Sequence, residues 1–262
     1  MTVAAAGVER IASAFASHGK RAALMPYLMG GFPSMDGSLA AGRAAADAGA
    51  DLVELGVPFS DPLADGPVIH EAGTRALAAG ATLHGVLRTC EELSAHLPVV
   101  LMVYANVVMA AGEDAFALRA AAAGAAGLIV PDLPHDEAGG LRAACDSEGL
   151  ALVPLAAPTS TDQRVMEIGA DARGFVYAVS LTGTTGERAE LPPALADTVA
   201  RVRASTAAPV AVGFGISTGA QARRVADVAD GVIVGTRVVR AAGEGGPDAV
   251  GELVGELAQA LS

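Results

Sequence analysis

The chain has no tryptophan, a single lysine (Lys20) and only two cysteines, Cys90 and Cys145, in its 262 residues. Each shortage removes a chemistry. A Schiff-base barrel aldolase needs a lysine at the end of a strand, and Lys20 precedes the first strand-like run, so that mechanism is excluded. The cysteines lack CxxC spacing and sit in alanine-rich, helix-like stretches, so they read as buried free thiols rather than a disulfide or a metal pair. Basic residues are few: 17 Lys and Arg face 29 Asp and Glu, a formal charge of −12 that argues against nucleic acid and anionic membrane surfaces as partners. No uncharged apolar run reaches the ~18 residues of a membrane span. Glu9 and Arg10 interrupt the apolar N-terminus between Val8 and Ile11, which suits a short amphipathic helix rather than a signal peptide, and a cytoplasmic protein is expected. His18, His70, His84, His96 and His135 fall in unrelated segments, only His135 closely follows a strand-like run, and no metal site is expected. Neither a Ser-His-Asp arrangement nor a GxGxxG dinucleotide fingerprint is present.

What the chain has is a repeating alternation. Apolar residues make up 52% of it, spread along its whole length. A small-residue helix end runs into a buried strand at 48 to 55, 123 to 132, 169 to 177 and 228 to 235, and apolar runs of a second kind lie near 23, 97, 150 and 208. Each of these eight runs is short, almost continuously apolar and followed by a helix-period segment, the pattern of parallel strands covered on both faces. Eight such units predict an α/β fold of the (β/α)8 TIM-barrel type, one domain over residues 1–262, with a short N-terminal helix and an extended loop after strand two. An open doubly wound sheet is the alternative.

In a barrel the loops after the strands build the active site, so the strand ends are where function is sought. Glu54 stands inside the second strand, where alternation sets Leu52 and Glu54 on the face opposite Val53 and Leu55. A carboxylate in a barrel interior is costly. It either pairs with a buried arginine, which no predicted strand supplies at that level, or it is a desolvated acid-base group able to give and take a proton near neutral pH. The loop from Gly56 to Pro67 is long for its kind. Its prolines Pro58, Pro62 and Pro67 favour a defined shape, which would carry Asp65 over the barrel mouth; a solvated turn is the other reading for Asp65 and more so for Asp61. Near the C-terminus, GFGIST at 213 to 218 and VGTR at 234 to 237 each join a strand to a helix through glycine, leaving N–H groups for an anion, and Gly186 after strand six can add another. A phosphorylated small molecule processed by acid-base chemistry is the expected ligand.

These residues carry a resemblance. ELGVPFSDPLADGP, followed in order by YAN at 104 to 106, PDLP at 131 to 134, the Thr185-Gly186 pair and GFGIS at 213 to 217, resembles the tryptophan synthase alpha subunit family over nearly the whole chain. The resemblance implies a lyase that cleaves indole-3-glycerol phosphate to indole and glyceraldehyde 3-phosphate by a retro-aldol reaction. It implies no cofactor in this chain, and a beta-subunit partner that carries PLP in an alpha-beta-beta-alpha complex. Glu54 and Asp65 match the two catalytic carboxylates of the family, and Tyr177 its tyrosine near the glutamate. Thr185, Gly186, Gly215, Gly235 and Thr236 fall on the phosphate and substrate site, Tyr104 and Phe214 line the indole pocket, and Tyr27, also a substrate-binding residue, takes a place often held by phenylalanine. Asp61 and Pro62 are the expected partner contacts. Tyr27, Met29, Thr236 and the stretch from Leu181 to Thr184 depart from the family's usual residues. A barrel kept mainly as a regulatory partner, with little lyase activity, is the competing reading.

Overall fold

In the computed structural model, which describes residues 6–179, 195–213 and 215–262, every strand-like run named above joins one parallel sheet. Its strands are β1 Ala23–Met29, β2 Val53–Gly56, β3 Val99–Met102, β4 Gly127–Ile129, β5 Ala151–Leu152, β6 Leu155–Ala156, β7 Val176–Val179, β8 Val210–Gly213 and β9 Gly231–Val234. Their order is β5-β4-β3-β2-β1-β9-β8-β7-β6. The two ends of that order, β5 and β6, are consecutive pieces of the one run expected near residue 150, parted by Val153 and Pro154. The sequence reading took this run as one strand. Proline has no N–H to give a ladder, so the strand breaks there. The break still bridges the two edges, because Val153 N–H donates to the Leu128 carbonyl at 2.9 Å and the Pro154 carbonyl accepts from Tyr177 N–H at 2.9 Å. The sheet therefore curls into a barrel in which the fifth strand is split.

Strand alternation sorts the apolar residues into two layers. Val53, Leu55, Val99, Leu101, Leu128 and Val232 point outward and pack beneath the helices, whereas Met25, Leu52, Val100, Ile129, Val153 and Ile233 fill the barrel. The helix Gly7–Ser17, expected from its amphipathic pattern, closes the lower end: Ile11 is fully buried against the interior layer, and Phe15 meets Phe175 with ring centroids 5.5 Å apart. Burying Ile11 is worth roughly 1.5–3 kcal/mol. Lys20, also at this end, spends its charge on Asp51 at 2.8 Å and on the Gly49 carbonyl. Among the described residues no helix is long and apolar enough to cross a membrane.

Candidate active site

The upper end of the barrel gathers the carboxylates and tyrosines. Tyr27 of β1 stands in register with Glu54 of β2. Both are buried, as are Tyr104 and Tyr177. Glu54 is 1% exposed, and among the described residues no Lys, Arg or His forms an ion pair with it. The buried-arginine reading thus finds no support in the described structure. Burial, and secondarily the charge of Asp65, lift the Glu54 carboxyl from its ordinary range to about 8. At neutral pH Glu54 therefore carries a proton.

This has a consequence for stability. Unfolded, Glu54 would lose its proton near 4.5; folded, it holds it to about 8. Between those values the native state binds more protons than the unfolded state, so native stability falls as pH rises through this window, by up to about 1.4 kcal/mol per pH unit from this group. Glu54→Gln removes the dependence. The variant is expected to match or trail wild type in thermal midpoint near pH 5 and to gain on it steadily towards pH 8; parallel melting curves with no change in the difference would contradict the assigned burial cost.

Asp65 arrives on the loop between β2 and the helix Pro67–Ala78, which starts at Gly66 with proline in its first turn. Tyr104 O–H donates to Asp65 Oδ1 at 2.9 Å, and Ala64 N–H donates to the Tyr104 hydroxyl at 3.1 Å. Burial raises the Asp65 carboxyl above the usual aspartate range, while the Tyr104 hydrogen bond and nearby His70 pull it back. The two acids are thereby set apart: one holds a proton, and the other has a donor aimed at its ionised form. Tyr104 is itself placed by β3 and by Asp132 of the PDLP segment, whose Oδ1 accepts from Ala105 N–H at 2.8 Å at the start of the helix Ala105–Ala111. Asp132 was singled out by its motif alone; its local work is to hold that helix end.

Two glycines, Gly56 and Gly213, have a steric role in this site that the sequence does not show. A side chain on Gly56, at the end of β2, would overlap the Tyr27 hydroxyl, and one on Gly213, at the end of β8, would overlap the Tyr177 hydroxyl. Each tyrosine lies in the space its neighbouring strand leaves by lacking a Cβ. The signal was the strand register, which only the paired sheet supplies. Both phenols are held well above their ordinary range, chiefly by burial, with the Glu54 charge adding to each and that of Asp65 to Tyr27. Ile69 also enters the pocket wall: a Cβ on Gly235 would lie 3.5 Å from Ile69 and 3.7 Å from Tyr27, which brings the last glycine turn to the edge of the same pocket.

The two glycine turns are not equivalent. At the first, Gln221 Oε1 accepts from Ser217 N–H at 2.8 Å and Thr218 N–H at 3.1 Å, and the helix Gly219–Ala226 is closed by a capping box. The N–H groups of Ser217 and Thr218 are thereby taken, and Gly215, in the same turn, has a φ of +74°. At the second, the helix Thr236–Leu261 follows Gly235 without a side-chain cap from that residue, which leaves the first-turn N–H groups uncapped by their N-cap side chain. Thr185, Gly186 and Phe214, with the stretch from Leu181 to Thr184, lie outside the described residues. Asp61 is exposed and Pro62 half-buried at the loop crest, beside Leu63, which is 81% exposed. Cys90 and Cys145 are free and buried, with both thiols pushed up to about 12 by burial. Among the described residues no group of three or more His, Cys, Asp and Glu could hold a metal ion.

A (β/α)8 barrel with a buried, protonated glutamate inside it, a second carboxylate on the loop at its mouth and a helix start without a side-chain cap beside both has the parts of an acid-base enzyme of the barrel class. The family model described as tryptophan synthase alpha chain matches residues 14–259. The chain belongs to that family. It is 46% identical over 244 residues to the tryptophan synthase alpha chain of Synechococcus elongatus, with 92% of each chain covered, and 46% identical over 248 residues to that of Streptomyces avermitilis, covering 92% of this chain and 90% of the relative. Among solved structures, a chain of Mycobacterium tuberculosis tryptophan synthase superposes with a TM-score of 0.90 at 41% identity, covering 96% of this chain and 98% of that one.

Proposed function

We propose that Glu54 and Asp65 carry the reaction of this family, the cleavage of indole-3-glycerol phosphate to indole and glyceraldehyde 3-phosphate in tryptophan biosynthesis, within one barrel domain spanning the chain. The observation that carries this reading is the placing of the pair: Glu54 is buried inside the barrel with its carboxyl raised to about 8, and Asp65, close enough for its charge to add to that rise, accepts a hydrogen bond from the Tyr104 hydroxyl. Glu54 gives its proton to indole C3, and the ring electrons that form the new C–H bond leave positive charge at the ring nitrogen. Asp65 accepts a hydrogen bond from the ring N–H and stabilises that charge. Glu54, now a carboxylate, takes the proton of the hydroxyl on the carbon attached to C3. As the aldehyde C=O forms, the carbon–carbon bond breaks and its electron pair restores the neutral indole ring. The proton returns to Glu54 and atoms balance without a cofactor in this chain. Tyr27, Tyr104 and Phe214 flank the indole, Tyr177 stands beside Glu54, and N–H groups of Gly186, Gly215, Gly235 and Thr236, with Thr185 near them, take the phosphate. The cytoplasm is the compartment this reading assigns.

The indole is consumed by a PLP-dependent beta subunit in an alpha-beta-beta-alpha complex, and in this reading Asp61 and Pro62, at the crest of the loop, contact that subunit. A related chain, 39% identical with a TM-score of 0.84, belongs to the tryptophan synthase α2β2 complex of Pyrococcus furiosus, which is described in terms of mutual activation. A partner that favours the arrangement with Asp65 lowered over the site needs only about 1.4 kcal/mol of differential binding for a tenfold activation. Glyceraldehyde 3-phosphate release from indole-3-glycerol phosphate is therefore expected from the isolated chain and, at about tenfold or higher rate, with saturating beta subunit. No release under either condition would overturn the lyase reading; equal rates in both would overturn the coupling.

A further inference from the structure

The loop that carries Asp65 is attached to the barrel at more than one point, and the attachments converge on one side chain. Tyr104 leaves the end of β3 at the N-terminal boundary of the helix Ala105–Ala111, a boundary pinned by Asp132. Its hydroxyl touches two consecutive loop residues, accepting from Ala64 N–H and donating to Asp65 Oδ1. Its ring is covered by a third loop residue: Phe59 stacks on Tyr104 with centroids 5.1 Å apart and planes 22° apart. A phenol ring can tilt about its Cα–Cβ and Cβ–Cγ bonds, and tilting moves the hydroxyl further than any other atom. A second ring on its face restricts that movement, and aromatic pairs of this kind are mutually attractive beyond the area they bury.

We propose that Phe59 is a positioning residue for the lyase reaction: stacked on Tyr104, it forms a clasp that aims the Tyr104 hydroxyl at the Asp65 carboxylate and holds the loop in the arrangement the reaction uses. The inference rests on Asp65 acting as the charge-stabilising carboxylate. Phe59 is half-buried, three residues beyond the end of the strand that carries Glu54, and its contact is with the Tyr104 ring, so it acts through Tyr104 and not on the substrate. The hydroxyl favours the ionised form of Asp65, so loss of its aim moves the proton affinity of Asp65 upward. A role in folding alone would not produce that change.

The test compares Phe59→Leu, Phe59→Tyr, Tyr104→Phe, the double variant Phe59→Leu/Tyr104→Phe and Asp65→Asn in full-length chain with beta subunit, by kcat and kcat/KM against pH. Tyr104→Phe removes the hydroxyl and keeps the ring; the acid limb of its profile is expected to rise by about one pH unit, with about a tenfold loss in kcat. Phe59→Leu is expected to shift the limb in the same direction, whereas Phe59→Tyr keeps a ring to stack and retains the wild-type profile. In the double variant the losses are expected to be less than multiplicative, because the two residues act on one hydrogen bond. Asp65→Asn separates the two levels of the argument. If that variant keeps wild-type turnover, the assignment of Asp65 fails. If it is severely impaired while Phe59→Leu keeps the wild-type acid limb, or its loss multiplies with that of Tyr104→Phe, the clasp is wrong. Should Phe59→Leu not fold, an unshifted acid limb in Tyr104→Phe overturns the proposal by itself.

Discussion

Glu54→Gln is expected to fold, to bind a phosphorylated ligand with little change and to lose about 10²- to 10⁴-fold in turnover, the usual worth of a positioned acid-base group. The amide nearly matches the carboxyl in shape, so the interior layer around Leu52, Val100 and Ile129 keeps its packing. It cannot deliver an acidic proton to carbon or take one from a hydroxyl. Water is a poor substitute at a side chain only 1% exposed. The same assignment sets the direction of the pH dependence. Because the step begins with Glu54 protonated and its carboxyl titrates at about 8, wild-type kcat is expected to fall on the alkaline side of that value. Steady-state release of glyceraldehyde 3-phosphate from pH 6 to pH 9 measures both effects. A folded Gln variant with more than about a tenth of wild-type turnover lies outside the range for acid-base removal and would remove Glu54 from the mechanism.

Gly215→Val is expected to raise KM for indole-3-glycerol phosphate by about 10- to 100-fold, the size of one lost charge-assisted hydrogen bond, with a smaller effect on kcat. Two physical terms act together. With φ of +74° the backbone at Gly215 adopts a conformation that a β-branched residue tolerates poorly, so the N–H is turned from its present direction. The new side chain also stands where an anion must approach. The neighbouring donors of Ser217 and Thr218 cannot compensate, since Gln221 already accepts from both. Ligand binding to the folded variant, followed with glycerol 3-phosphate as probe, separates a binding defect from a catalytic one. Unchanged affinity would move the phosphate away from this turn.

Much of the fold was legible because a buried parallel strand has a plain signature, a short apolar run with turn residues on each side. All the expected runs became strands, and the N-terminal helix formed as its spacing foretold; that it closes the barrel through Ile11 is a finding of the structure. The split at Pro154 was visible as a proline but not as a break, since Pro26 lies within β1 without interrupting it. Whether a missing N–H matters depends on which neighbour needed it, and that is a property of the pairing. Glu54 was legible for a similar reason: an ionisable residue in an apolar run is anomalous in any fold that buries both faces. The part that Gln221 plays in capping the helix start at Gly219 is not legible in the sequence, because a cap shows only once the turn is folded.

By itself the sequence determined the alternation of strand and helix, the inward side of Glu54 and the family, because period and local composition are properties of neighbours along the chain. Only the tertiary structure decided how those residues work together. The raised proton affinity of Glu54 depends on its burial and on Asp65, which a loop brings back over the barrel. The orientation of Asp65 depends on Tyr104, 39 residues further on, and on the Phe59 ring stacked against it. The places of Tyr27 and Tyr177 depend on glycines one strand away. The physical reason is the same in each case: desolvation, hydrogen-bond aim and steric room are set by groups that meet through space, at distances sequence separation does not encode.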